Sequence, residues 1–296
     1  MNQDLYAETT ARIVAALERG VAPWVRPWST VAEAMPMNAL TKRAYRGVNF
    51  TLLTLEAEGH GYPINRWLTY RQATELGGQV RRGEHGTTVV FWKLKNIAAS
   101  AELVPDSAPP DLPDRVYPLL RAYTVFNLAQ VEGLAPELTQ VAPATWEPEA
   151  RAEELLLMSG AHLRFGGSKA FYRSDSDEIH LPPQRAFPTA AGYYNVALHE
   201  LTHWTSEESR CNRQLGQRFG DDAYAAEELI AEMGAAFLCA HCRIDGELRH
   251  ESYLASWLKV LRTDKRAIFV AASKAQQAAD YLLARTQPAV TEALAA

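Results

Sequence analysis

Two hydrophobic periods run through this chain, and the switches between them mark its elements. Leu5, Ile13, Val14 and Leu17 recur at helical spacing, so residues 4–20 predict one amphipathic helix with Gly20 as its stop. Phe50 to Glu58 and Arg71 to Leu76 predict two more helices, each followed by glycines. Thr87 to Lys95 is the clearest strand, and Leu119 to Leu128 is a second. The proline-containing stretch 96–115 between them reads as the loop of a hairpin. Gly133 to Glu149, with Pro136, Pro143 and Pro148, reads as a linker. A helix over Pro148 to Ser159 follows, then a hairpin of 163–165 with 170–172 and a strand Glu178 to Pro182. Pro182 and Pro183 suit that last strand to an exposed sheet edge. Helices are expected over Tyr193 to Thr205, Asp221 to Ile244 and 251–283. The fold class is α+β: a small α+β domain over 1–135, a linker over 136–149, and a mainly helical domain with a small antiparallel sheet over 150–296.

Composition narrows the class. The chain has 296 residues, 47% hydrophobic and 22% charged, which describes a globular protein and not a disordered one. No apolar run approaches membrane-span length, so no membrane partner is expected. The start Met1-Asn2-Gln3-Asp4 lacks a signal-peptide pattern, and Cys211, Cys239 and Cys242 are too few for a disulfide framework; both point to the cytoplasm. The net charge of −5 is uneven. Residues 1–96 hold 12 Lys+Arg against 8 Asp+Glu, whereas the rest hold 18 against 27. The basic third is suited to meet phosphates.

Candidate chemistry centres on Leu198-His199-Glu200-Leu201-Thr202-His203-Trp204, an H-E-x-x-H pattern. Histidines four residues apart project from one helix face, where one Zn²⁺ can take both imidazoles. Glu200 leans to the side of that face as a general base toward a water in the open position. A third protein ligand is required. In the next helix Glu228 and Glu232 lie one turn apart among Leu229, Met233, Ala236 and Phe237, and a carboxylate near a core must be paired or metal-bound. Glu228 is assigned as the third ligand and Glu232 as the carboxylate that orients a histidine through its free nitrogen. The competing reading sets Glu227 and Glu228 on the rim, paired with arginines. Tyr224, one turn before Glu228, and His180 are candidates to face the metal, with a purely structural role as the alternative for each. Cys239-Ala240-His241-Cys242 has no second pair and reads as buried thiols. Zn²⁺ is the expected cofactor, with Mn²⁺ as another divalent choice.

The first third interleaves aromatic and basic residues. Trp24 and Trp28 flank Arg26 in a Pro-Trp repeat that suits base stacking with an arginine on phosphate, or closure of a small core. Lys42, Arg43 and Arg46 surround Tyr45, and Arg81 and Arg82 share a turn. These are the candidate contacts to single-stranded DNA, with double-stranded DNA as a second ligand.

The segments resemble, in order, the ArdC-type antirestriction proteins of conjugative plasmids. The likeness rests on Leu17-Glu18 through Pro27-Trp28, Pro36 and Asn38, Tyr45 to Asn49, Trp67 through Ala73, Gly83-Glu84 through Trp92, Asp177 through Pro182, His199 to Thr205, Tyr224, and Glu227 to Glu232. It implies an N-terminal single-stranded-DNA-binding domain, a C-terminal zincin-like metallopeptidase domain, and protection of incoming plasmid DNA from host restriction. The glutamate pattern is similar to that of gluzincin peptidases, in which the earlier position binds the metal; this favours Glu228. The family's frequent Thr-Gly-Lys is Thr41-Lys42-Arg43 here, which puts a tight turn in question. Two alternatives accompany this expectation. One is a metalloprotease that cleaves a host protein, such as a restriction subunit, with DNA binding used for targeting. The other is a catalytically silent DNA-binding module with a structural metal. In the protease reading the substrate backbone adds to the 178–182 strand.

Overall fold

In the computed structural model, residues 4–19, 35–96, 116–138, 148–215, 218, 222–244 and 253–286 are described. Helix α1 spans Leu5–Glu18; Asp4 caps it by accepting from the Ala7 N–H, and Ile13, Ala16 and Leu17 are its buried face. Then come β1 (Met37–Asn38), α2 (Val48–His60), β2 (Arg66–Leu68), α3 (Tyr70–Glu75) and β3 (Gln79–Val80). The expected hairpin is present as β4 (Thr87–Asn96) and β5 (Val116–Asn127), paired antiparallel from Thr87↔Val125 to Asn96↔Val116. Strand β6 (Val131–Glu132) pairs with β3. The larger sheet has the order β1-β2-β5-β4, with β1 and β2 parallel. Leu53 and Ala57 of α2 cover it, packing on Tyr45, Trp67, Val89 and Val125.

The C-terminal half begins with α4 (Pro148–Ser159), β7 (His162–Phe165), β8 (Phe171–Arg173) and β9 (Glu178–Leu181). Here the sheet differs from the expected antiparallel hairpin. Its order is β7-β9-β8: β9 is central, parallel to β7 and antiparallel to β8. The Gly166-Gly167 pair, both at positive φ, turns the chain across the end of β9, where the Gly166 N–H bonds Leu181 O. Strand β9 is paired on both sides and is therefore not an edge, and its alternation of fully buried Ile179 and Leu181 with Glu178 and His180 marks one covered face. The 178–182 segment therefore cannot accept an added strand along its length. The edge strands of this sheet are β7 and β8.

Among the described residues four longer helices follow: α5 (Ala190–Trp204), α6 (Ala223–Cys242), α7 (Leu254–Thr263) and α8 (Ala267–Arg285). The single helical stretch expected over 251–283 is thus two helices. Asp264 is extended between them, and its carboxylate accepts from the Arg266 N–H.

The two halves share one core. Ile13, Leu17, Phe50 and Leu52 join the apolar cluster that contains Leu198, Ile230, Phe237, Trp257 and Ile268. The Tyr45-Arg46-Gly47-Val48-Asn49 stretch is a joint in this contact. Arg46 pairs with Asp280, and the Gly47 N–H, reached at φ 57°, donates to Gln276 Oε1 at 3.1 Å. Asn49 bonds both backbone groups of Val90, at 2.7 and 2.8 Å.

Candidate metal centre

Thr189 starts α5 by accepting from the Gly192 N–H at 3.0 Å. Tyr193, Tyr194, Ala197, Leu198 and Leu201 are buried along the helix, and His199 and Glu200 are buried with them. Helix α6 packs on α5 with a glycine at the contact. A Cβ at Gly234 would lie 2.5 Å from Thr202 Cγ2. This approach brings the glutamates of α6 to the histidines of α5.

His199 Nε2 and His203 Nε2 are 3.1 Å apart. Glu228 Oε2 lies 3.7 Å from His199 Nε2, and Glu228 Oε1 lies 3.5 Å from His203 Nε2. These are close to the edge of about 3.3 Å that a tetrahedral site with ~2.0–2.1 Å bonds would have. The ligand atoms of the trio all lie within 4.8 Å of one another, the only such group of three or more among the described residues. On the far side of each ring sits a carboxylate. Glu232 Oε1 is 3.5 Å from His199 Nδ1, and Glu227 Oε1 is 3.2 Å from His203 Nδ1. With each Nδ1–H turned to a carboxylate, both Nε2 lone pairs converge on the same point as the Glu228 oxygens. That donor set fits a divalent cation.

The carboxylates around the rings also shift the charges of the site. Burial alone would lower the pKa of His203; the hydrogen bond and charge of Glu227, with the charges of Glu200 and Glu228, outweigh it and raise the group above its ordinary value. Burial pushes Glu227 and Glu228 up, but hydrogen bonds outweigh it and hold both below the usual carboxylate range: from His203 and Arg213 for Glu227, from His199 with the charge of His203 for Glu228.

Arg213 is the residue that sequence reasoning missed, and Glu227 enters that reasoning only as the rim partner of an arginine. Arg213 has a fully buried side chain, donates to Glu227 Oε2 at 3.0 Å and reaches the Thr202 carbonyl at 2.7 Å and Thr205 Oγ1 at 2.6 Å. The rim reading was half apt: Glu227 does pair with an arginine, while its neighbour Glu228 turns toward the histidines. Adjacent helical residues point about 100° apart, so Glu227 meets His203 at Nδ1 while Glu228 meets the Nε2 atoms of both rings. Nothing in the spacing of Arg213, in the loop after α5, marks it.

Tyr224 is 64% exposed, and its hydroxyl is 2.9 Å from that of Tyr253. That bond, with burial and the charge of Glu228, raises its pKa. His180 lies outside the trio, stacked on Phe171 at 4.6 Å.

The candidate nucleic-acid residues that are described differ in their surroundings. Trp24, Arg26 and Trp28 lie outside the described residues. Tyr45 is only 6% exposed, its ring packed in the core and its hydroxyl accepting from Asn38 at 3.3 Å, so it offers no free stacking face. Arg46 is engaged by Asp280, and Arg81 by Glu84 at 2.6 Å. Lys42, Arg43 and Arg82 are exposed.

Residues 3–126 match the N-terminal domain of anti-restriction factor ArdC, and residues 150–274 match a zincin-like metallopeptidase domain. Protein y4eC of Sinorhizobium fredii (strain NBRC 101917 / NGR234) is 41% identical over 290 residues, covering 97% of this chain and 94% of that protein. The metal-free crystal structure of the antirestriction ArdC protein from R388 plasmid aligns with a TM-score of 0.79 at 39% identity, covering 96% of this chain and 98% of that one. This chain belongs to the ArdC antirestriction family. A Mn(II)-bound structure of the R388 protein aligns with a TM-score of 0.76 at 40% identity. A DNA primase TraC of Escherichia coli is 38% identical over 99% of this chain, which spans 28% of the primase.

The ArdC family's frequent Thr-Gly-Lys turn survives here without its glycine. Lys42 itself adopts the left-handed conformation, at φ 59°. Asn38 holds the turn, its side-chain oxygen accepting from the Leu40 and Thr41 N–H groups at 3.1 and 2.9 Å.

Proposed function

We propose that this chain binds DNA through residues 1–135, preferring single strands, and shields incoming plasmid DNA from host restriction during conjugation. We further propose that residues 150–296 hold a divalent cation, Zn²⁺ or Mn²⁺, on His199, His203 and Glu228 as a peptidase-type centre. The observation that carries this reading is the buried convergence of two imidazole nitrogens and one carboxylate, each imidazole backed by a further carboxylate. A cation held there supplies Lewis acidity to an amide carbonyl and to a water. Glu200, buried beside His203, accepts the proton of the attacking water and passes it to the leaving amide nitrogen. Glu232 and Glu227 keep the two rings in one tautomer and orientation. A peptide backbone adds to the exposed edge of β8, beside α5, and a host restriction subunit is the candidate protein substrate. Glu200→Gln keeps the side-chain shape while removing the negative charge and the proton acceptor. It is expected to abolish peptide cleavage and reduce plasmid protection in conjugation assays. Protection at the wild-type level would remove proteolysis from the mechanism.

A further inference from the structure

The middle of the β4–β5 hairpin carries an exposed aromatic surface away from the metal centre. Phe91 and Tyr123 are 44% and 47% exposed. Their rings meet edge to face at 5.7 Å, and Tyr45 backs Phe91 at 6.3 Å. Phe91 pairs with Arg121, and Tyr123 with Val89. Strand alternation places these four residues on one face, with Val89 buried under α2 and Arg121 exposed beside the rings. Across residues 85–96 and 116–127 the sequence has Lys93, Lys95 and Arg121 and no Asp or Glu, in a chain whose net charge is −5. An exposed aromatic pair alone would equally suit a protein partner. Strand sequences that carry cations and no carboxylates favour a polyanion. Aromatic faces then select unpaired bases, because a duplex keeps its bases stacked on one another.

We propose that Phe91 and Tyr123 form a stacking platform for bases of a single-stranded nucleic acid, with Arg121 on the adjoining phosphate. This rests on the reading of residues 1–135 as DNA-binding and assigns the surface that does it.

The test is binding of a labelled single-stranded oligothymidine by the full chain across a salt series, with melting temperature recorded for every variant. Phe91→Ala and Tyr123→Ala are each expected to weaken binding roughly tenfold at unchanged salt slope. Arg121→Gln is expected to flatten the slope by about 0.7, one phosphate contact on a single strand. Trp92→Leu, which removes an exposed ring from the opposite face of the same hairpin, is expected to leave affinity unchanged. If the wild-type chain binds no oligonucleotide, the DNA-binding reading and the platform fall together. If it binds and the Phe91→Ala/Tyr123→Ala double variant binds as tightly with native melting, the platform falls and the DNA-binding reading stands. Equal weakening by Trp92→Leu, or an altered sedimentation of the double variant in place of altered oligonucleotide affinity, also overturns the platform.

Discussion

Gly234 of α6 and Thr202 of α5 meet with no room for another carbon: a Cβ on Gly234 would lie 2.5 Å from Thr202 Cγ2 and 2.8 Å from its Oγ1. Thr202 is fully buried and its hydroxyl donates to the Leu198 carbonyl at 2.8 Å, so it cannot swing aside freely. The helix with the histidines and the helix with the glutamates are held at this distance by a missing side chain. Gly234→Ala is therefore expected to cost about 1–3 kcal/mol of stability through overpacking and to weaken divalent-metal affinity by separating Glu228 from the histidines. Thermal unfolding and metal titration check both effects, and Thr202→Ala in the same chain is expected to restore part of each. Unchanged metal affinity in the single variant would show that the helix spacing does not set the site.

Glu227 gives a second expectation. Its carboxylate stands between His203 Nδ1 and buried Arg213. Glu227→Gln is expected to lower metal affinity about 10–100-fold, as removal of a carboxylate behind a ligating histidine does. Arg213→Ala is expected to cost about 3–5 kcal/mol, because it leaves a largely buried carboxylate without its cation. Isothermal titration and denaturant unfolding separate the two outcomes.

A third expectation concerns pH. The turn before β9 is tied to the end of α5 by Arg210, which bonds Asp177 at 2.6 and 3.0 Å, reaches Tyr172 Oη at 3.2 Å and lies over the Trp204 ring at 4.0 Å. Burial pushes Asp177 up, but the bonds from Arg210 and Tyr172 outweigh it and hold the carboxyl below its ordinary value of 3.8. The stability it contributes is thus fully present above pH ~4 and lost as pH falls through the lower folded value. Tyr172 is pushed up to about 12, first by burial and then by its hydrogen bond to Asp177. Its contribution is present below pH ~10 and lost as pH rises through about 12. Asp177→Asn is expected to flatten the acid limb of the unfolding profile, and Tyr172→Phe the alkaline limb. Chemical denaturation at a series of pH values checks this; an acid limb as steep in Asp177→Asn as in the wild type would contradict it.

Much of the metal centre is legible in the sequence because helical spacing is local: His199 and His203 share a face of one helix, and Glu228 and Glu232 share a face of another. Glu227 and Arg213 are not, since their roles depend on how two helices and the loop after the first come together. The hairpin of β4 and β5 is read from period and propensity, but the platform of Phe91, Arg121 and Tyr123 appears only once the register is known. The small C-terminal sheet was misread because pairing of β7 with β9 is set by a glycine crossing and not by adjacency in the chain. Tyr45 and Arg46 look alike in sequence to a nucleic-acid groove, yet the fold spends one on the core and the other on Asp280.

The central claim is that His199, His203 and Glu228 together hold one divalent cation. Elemental analysis of the purified chain, dialysed in the presence of Zn²⁺ or Mn²⁺ and compared with Glu228→Ala, tests it most directly. The expected result is one tightly held cation per wild-type chain and its loss in a Glu228→Ala variant that still melts cooperatively. Full occupancy in that variant, or none in the wild type, would contradict it.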